Sequence, residues 1–350
     1  MHSRVYDRLL RTPSGFAESP LGGFLDVLSE VLRAVKLQGA MYYNGEFALP
    51  WRVRSPAGQA IAPHLGIKAK HVIVYHLLLG GRASVRLEQG KPLMLEAGDI
   101  VVLPHGDPHI VENGSAPRTV DISPELDRIF SQGLKLWRLG GGGELTRFVC
   151  GYMACEPRLS QVFLSGLPPL FKISLRDQPS GKWLEDSIRF SADEAVVSRP
   201  GGEAVLTKLA EVLFMETLRA YVADLSPKQT GWLAGTRDAV VGKALALMHR
   251  SASHPWTVDS IAKEAGVSRS VLAERFRHYL NEPPMAYLTR WRLQLGAEML
   301  LSQSHPVAQI AAEVGYESEA AFNRAFRREF QIPPARFRAQ ARSTPASRPE

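Results

Sequence analysis

The chain has 350 residues, enough for two domains with their own cores, and at 45% apolar and 22% charged its composition is that of an ordinary water-soluble globular protein. No apolar run reaches the roughly 18 residues of a membrane span, and Met1-His2-Ser3-Arg4 leads into no signal-peptide core, so a cytoplasmic protein with no membrane partner is expected. Net charge is +7 and uneven: from Thr236 onward 16 Lys and Arg face 11 Asp and Glu, and 14 of the 16 are Arg, which suits phosphate and guanine contacts.

Phe24 to Lys36 places Phe24, Val27, Leu28, Val31, Leu32 and Val35 at helical spacing, and an amphipathic helix is predicted. From about Gly39 to Pro124 short apolar runs alternate with turns. Examples are His71–Leu77, Ala83–Leu87 and Ile100–Leu103, punctuated by Gly80-Gly81, Gly90-Lys91-Pro92 and Gly106-Asp107-Pro108. This texture predicts an all-β barrel or jelly roll. Gly140 to Gly143 reads as a loop tip or a disordered excursion, and one more strand is expected near Arg147–Tyr152.

Two cysteines, Cys150 and Cys155, exclude a disulfide scaffold or a four-thiolate zinc site. Five apart on one strand, they point to opposite faces roughly 16 Å apart and cannot bond to each other.

Lys182–Ser198 and Glu203–Leu225 read as helices around Pro200-Gly201-Gly202. The second puts Leu206, Leu209, Leu213, Leu218 and Tyr221 near one face, which either packs on its own barrel or forms a dimer interface. The domain reading is therefore 1–225 for a barrel with flanking helices, 226–236 for a linker, and 237–342 for a helical domain. After Arg342 the chain is rich in Ser, Pro and Ala and is expected to fray.

The last hundred residues contain a repeat. Ile261-Ala262-Lys263-Glu264-Ala265-Gly266-Val267-Ser268 returns as Ile310-Ala311-Ala312-Glu313-Val314-Gly315-Tyr316-Glu317-Ser318. Each copy runs into a basic amphipathic segment, and each closes seven residues after Phe276 or Phe326 on Pro283-Pro284 or Pro333-Pro334. A short helix, a glycine turn and a second helix with a charged face make a helix-turn-helix. Two in tandem, about 257–279 and 306–330, predict a reader of two major-groove segments of double-stranded DNA. Thr257, Ser268 and Ser318 are the expected N-caps. Val271, Leu272 and Phe276 should face the core of the first unit, leaving Arg269, Ser270, Ala273, Glu274 and Arg277 outside. Pro284–Ser302 reads as one long helix joining the units.

Ile310 through Arg338 carries Gly315-Tyr316, Ser318, Ala321-Phe322, Arg324, Phe326-Arg327, Phe330, Pro333-Pro334 and Phe337-Arg338. This run resembles the signature of the AraC/XylS family of bacterial transcription regulators. The resemblance implies base readers at Ser270, Ala273 and Glu274 in the first unit and at Glu319, Ala320, Ala321, Asn323 and Arg324 in the second. Phosphate contacts are expected from Arg269, Arg277, Arg292, Arg327, Arg328 and Arg336. In the amino-terminal half, Gly98 to Asn113, with Pro104-His105-Gly106 and His109, is similar to the second cupin motif. The resemblance implies the fold class: a multidomain α+β chain with an amino-terminal cupin-like β-barrel and flanking helices, then an all-α tandem helix-turn-helix domain. It also implies effector binding in the barrel, a homodimer, RNA polymerase as partner if the protein activates, and no enzymatic activity.

In metal-binding cupins a first motif supplies two further His and a Glu. Here the matching strand offers only His76, followed by Leu77, Leu78 and Leu79. The cofactor is therefore left open. His76, His109, His105 or Cys150 either meet inside the barrel as a metal or effector site, or are turn and core residues satisfied by hydrogen bonds. Cys150 reads either as a small buried core residue or as a redox-sensing thiol. The competing function readings are a cupin-type metalloenzyme fused to a DNA-binding domain and a constitutive DNA binder whose barrel only dimerises.

Overall fold

The computed structural model describes residues 27–29, 38–65, 71–132, 136–140, 142–155, 164, 166–195, 200–226 and 228–343. Of the helix expected over 24–36, residues 27–29 are helical with Val27 buried, and the rest lies outside the described residues, as does the tail from 344.

Among the described residues eleven strands build two sheets. The strands are β1 (Gln38–Ala48), β2 (Trp51–Ser55), β3 (His71–Gly80), β4 (Arg82–Leu87), β5 (Leu93–Glu96), β6 (Asp99–Leu103), β7 (His109–Asn113), β8 (Val120–Asp121), β9 (Leu136–Gly140), β10 (Leu145–Cys155) and β11 (Phe171–Ser174). The larger sheet runs β11-β6-β3-β10-β1-β9 and the smaller β5-β4-β7-β2-β8. Side chains alternate along each strand, so each sheet has an inner face and an outer face. Tyr43, Phe47, Trp51, Val74, Val101, Val111 and Phe148 fill the space between the sheets, giving a barrel-like sandwich. Short helices α1 (Gly58–Ile61) and α2 (Leu126–Gln132) complete this half.

The outer face of the larger sheet, with Ile73, Tyr75, Leu77, Val149 and Met153, is covered by helices α3 (Gly181–Ala195) and α4 (Gly202–Asp224). Leu206, Leu213 and Leu218 of α4 are buried there, and Leu209 and Tyr221 pack against the same core. That apolar face therefore belongs to the protomer's own core and is not a free dimer interface. Cys150 lies in the inner cluster and Cys155 in the outer one, as alternation requires.

Within the stretch 226–236 read as a linker, the chain forms a helix, α5 (Trp232–Arg237), with Trp232 and Leu233 buried. Helices α6 (Ala239–Arg250), α7 (Val258–Ala265), α8 (Arg269–Leu280), α9 (Pro284–Ser302), α10 (Val307–Glu313), α11 (Glu319–Phe330) and α12 (Pro334–Ser343) follow. The repeat is a structural one. Both α7 and α10 end on a left-handed glycine, Gly266 at φ 73° and Gly315 at φ 86°. In each, the glycine N–H and the next N–H close back onto the helix: Gly266 to Lys263 O and Val267 to Ala262 O, Gly315 to Ala312 O and Tyr316 to Ala311 O. This Schellman closure satisfies the terminal carbonyls. Ser268 and Ser318 then cap α8 and α11 by accepting from Val271 N and Ala321 N. Among the described residues no helix is long and apolar enough to cross a membrane.

Candidate functional site

In the first unit Leu272 and Phe276 anchor α8 in the core, and Arg275 pairs with Asp238, the N-cap of α6. These contacts turn the opposite face of α8 outward. Arg269, Ser270, Glu274 and Arg277 are exposed and Ala273 is half-buried. Val271, expected in the core, is instead 37% exposed, because the core takes one residue per turn here, Leu272 and then Phe276. An apolar side chain on the exposed face of a recognition helix fits a thymine methyl. Sequence reasoning missed it, and its branched, apolar side chain gave no signal that it stands outside.

In the second unit Phe322 and Phe326 are fully buried. Glu319, Ala320, Arg324, Arg327 and Arg328 are exposed on α11, Ala321 and Asn323 are half-buried, and Arg336 is exposed on α12. Arg292 departs from expectation. Its guanidinium donates to Ala252 O at 2.6 Å and His254 O at 2.7 Å, and burial pulls its pKa down. It clamps α9 to the turn after α6 and is removed from the phosphate set. Gly315 closes the same corner: a Cβ there would lie 2.8 Å from Ser253 Cα and 3.0 Å from the Arg292 guanidinium carbon.

Inside the sandwich, three of the four residues expected to form an effector or metal site come together. His76 on β3 sits directly opposite Cys150 on β10, and His109 on β7 reaches across from the other sheet. His76 Nδ1 is 2.6 Å from Cys150 Sγ, His76 Nε2 is 2.6 Å from His109 Nε2, and His109 Nδ1 is 2.9 Å from Asp107 O. The order of protons follows from one end. A carbonyl only accepts, so His109 Nδ1 carries a hydrogen and its Nε2 is bare. His76 therefore donates from Nε2, its Nδ1 is bare, and the Cys150 thiol donates to it. Every member is neutral. Burial and the neighbouring His109 hold the His76 pKa well below its usual value, burial lowers His109 to about 4, and burial raises the Cys150 thiol.

This is a series and not a convergence. The two nitrogens of the His76 ring point away from each other, one to sulfur and one to His109, so a single ion cannot take both. Among the described residues no group of three His, Cys, Asp or Glu is placed to hold a metal ion. The cupin metal centre does not fit these residues as arranged. His105 is not part of the group: it is exposed on the β6–β7 turn, with Nε2 donating to Leu167 O at 3.2 Å. That turn needs its glycine, since Gly106 has φ 65° and a Cβ would lie 2.5 Å from Val72 O. Two further interior polar groups were not expected. Ser55 Oγ, on the residue paired with His109, and Trp51 Nε1 are buried without a hydrogen-bond partner.

A family model described as a cupin matches residues 26–223, and one described as a helix-turn-helix domain matches residues 261–340. The HTH-type transcriptional regulator AlkR of Acinetobacter baylyi is 31% identical over 277 residues, 78% of this chain and 90% of the relative. A putative AraC-like transcription regulator of Streptomyces lividans is 28% identical, covering 90% of this chain and 98% of its own. The RCS-specific HTH-type transcriptional activator RclR of Escherichia coli is 28% identical, covering 91% and 99%. With a cupin match over more than half its length and a tandem helix-turn-helix behind it, the chain belongs to the AraC family of DNA-binding transcription regulators.

Proposed function

We propose that this regulator reads two major-groove segments with α8 and α11, and that its cupin half changes that reading in response to an effector rather than catalysing a reaction. The observation that carries the DNA reading is the pair of serine-capped recognition helices, each held by buried aromatics and each presenting an exposed polar and basic face. Ser270, Val271, Ala273 and Glu274 in the first unit, and Glu319, Ala320, Ala321, Asn323 and Arg324 in the second, are the base readers. Arg269, Arg277, Arg327, Arg328 and Arg336 hold phosphates, which position the protein without specifying sequence. The neutral Cys150–His76–His109 chain, with Ser55 Oγ and Trp51 Nε1 unpartnered in the same interior, supports effector recognition inside the sandwich. The protein works in the cytoplasm as a homodimer. As an activator it would engage RNA polymerase.

The dimer reading has its own support. Trp183 and Phe190, seven apart on α3 and so on one side of it, are 61% and 62% exposed. A second copy is the occupant that suits a family of DNA readers with paired sites.

The test is selection of binding duplexes from a random pool by the full-length protein. The selected site is then titrated with wild type, Arg324→Ala and Cys150→Ser in the presence and absence of candidate effectors. A conserved bipartite site whose affinity an effector shifts supports the reading. Selection of no sequence, or a site bound equally under every condition and by every variant, would leave a constitutive or non-specific binder.

A further inference from the structure

From their serine caps onward, helices α8 and α11 match residue for residue. Ser268 corresponds to Ser318, the buried Leu272 and Phe276 to the buried Phe322 and Phe326, and Pro283-Pro284 to Pro333-Pro334, each 50 positions on. In this register Glu274 stands where the second unit has Arg324. Each lies two residues from both buried anchors of its helix, which at 3.6 residues per turn is about 160° from either. That is the line of the helix farthest from the core. Both side chains are exposed, and among the described residues neither makes a hydrogen bond or an ion pair. A groove that receives the exposed face of these helices therefore receives these two side chains at the centre of the contact.

The neighbouring charges do not cancel the difference. Arg277 and His278 follow Glu274 by three and four positions, Arg327 and Arg328 follow Arg324 in the same way, and all four are exposed. Of the other cations on α8, Arg275 is taken by Asp238, and Arg269 lies 3.8 Å from Asp259. The acids of α11, Glu319 and Glu329, stand in its first and last turns, away from Arg324. Both helices thus keep cations for the phosphates, and what differs is the sign of the central side chain. An ionised glutamate only accepts hydrogen bonds and an arginine only donates them. In the major groove guanine shows two acceptors, adenine an acceptor beside its donor, and thymine an acceptor beside its methyl group. Each of these sets a lone pair against a carboxylate. Cytosine alone offers an N–H with no acceptor next to it, whereas the two acceptors of guanine match the arginine fork.

Resting on the proposed DNA reading, we infer that Glu274 selects a cytosine under α8 and Arg324 a guanine under α11. The two half-contacts of one protomer then differ in the hydrogen-bonding sense of the base they require. A duplex with the halves exchanged sets each side chain against a base it cannot bond.

The test begins with duplexes selected from a random pool by the full-length protein. Wild type, Glu274→Ala, Glu274→Arg and Arg324→Ala are titrated against the selected site, with each base pair replaced in turn by the other three. In wild type one position of one half-contact prefers C·G and one position of the other, about one helical turn away, prefers G·C, each by about tenfold. Glu274→Ala abolishes the first preference and keeps the second, Arg324→Ala does the reverse, and Glu274→Arg turns the first from C·G to G·C. Replacing the selected cytosine with 2-pyrimidinone, which lacks the 4-amino group, weakens wild type about tenfold and leaves Glu274→Ala unaffected. Both side chains are exposed and unpartnered, so the variants melt with wild type, and a structural role would not move base preference at a single position. Selection of no bipartite site would overturn the DNA reading and this assignment together. A bipartite site at which Glu274→Ala keeps every wild-type preference, or at which the preference it loses is for a base other than cytosine, overturns the assignment alone.

Discussion

Arg324 and Arg328 leave the same face of α11 one turn apart, yet the proposed reading gives them different work. On that reading Arg324, nearer the amino end of the helix, contacts a base. Arg324→Ala should weaken specific binding by about 1–3 kcal/mol and relax base choice at one position. Equal losses on selected and random duplex would remove it from that role. Arg328→Ala should weaken binding to all sequences and flatten the slope of log K against log salt by about one. An unchanged slope would show that it holds no phosphate. The exposed Arg positions were legible because charge at helical spacing needs no partner to interpret. Arg292 was not, because its partners are backbone carbonyls of Ala252 and His254, 40 and 38 positions away, and only packing brings them near. Titration is also a residue property. His109 is buried and His249 half-buried, and desolvation keeps both neutral, lowering their pKa values to about 4 and about 3. The unfolded chain protonates these groups near pH 6.5 while the folded chain refuses the proton, so their stability contribution is intact above pH 6.5 and is lost as pH falls towards 3. Each lowers stability by on the order of 2 kcal/mol at pH 5. His249→Phe keeps a ring against Trp291, on which His249 stacks at 4.1 Å. Its denaturation midpoint should therefore fall less than that of wild type between pH 7.5 and 5, and parallel slopes would refute the neutral state of His249.

At the scale of elements, the contact that sets α11 on α9 is a glycine under an aromatic ring. A Cβ at Gly296 would lie 2.9 Å from two carbons of the fully buried Phe322 ring, in a core with Ala297, Ile310 and Phe326 around it. Gly296→Ala should destabilise the protein by about 1–3 kcal/mol through overpacking, despite the better helix propensity of alanine. Gly202, at the start of α4, has nothing within 4 Å of its missing Cβ. Gly202→Ala should be neutral or stabilising by up to about 1 kcal/mol. Urea denaturation of both variants checks the pair, and equal effects would mean that propensity and not packing governs Gly296. The elements themselves were largely readable. The α9 span and the caps at Thr257, Ser268 and Ser318 follow from local chemistry, and the strand texture of 71–103 follows from short apolar runs between turns. What resisted reading was which strands pair. The approach of His109 on β7 to His76 on β3 depends on stacking two sheets, and no local pattern encodes that. The helix α5 was hidden for the same reason: Trp232 is held by a hydrogen bond from its Nε1 to the Tyr287 hydroxyl, 55 residues on.

For the whole molecule, the decisive question is whether the two units act as one ruler. Helix α9 has 19 residues, which at the α-helical rise is about 28 Å, close to one turn of duplex. Both ends are pinned. Tyr287 packs edge-on to Phe276 of the first unit, Gly296 lies under Phe322 of the second, and Arg292 between them holds the turn at 252–254. Swivelling one unit against the other would have to break aromatic cores at one end or the other, so the separation of α8 and α11 is fixed before DNA is met. A duplex must then offer its two major-groove segments on one face, about 10 base pairs apart. Inserting five base pairs between the two half-contacts of a selected site turns the second segment to the far side of the duplex. Affinity should drop to that of a site with one half-contact scrambled, and a further insertion to a full ten pairs should restore little, because the ruler does not lengthen. If the five-pair insertion is tolerated, the units swivel and the pinning contacts on α9 yield in solution. If the ten-pair insertion restores full affinity, the two half-contacts belong to two protomers, and the dimer presented by Trp183 and Phe190, not α9, sets the spacing.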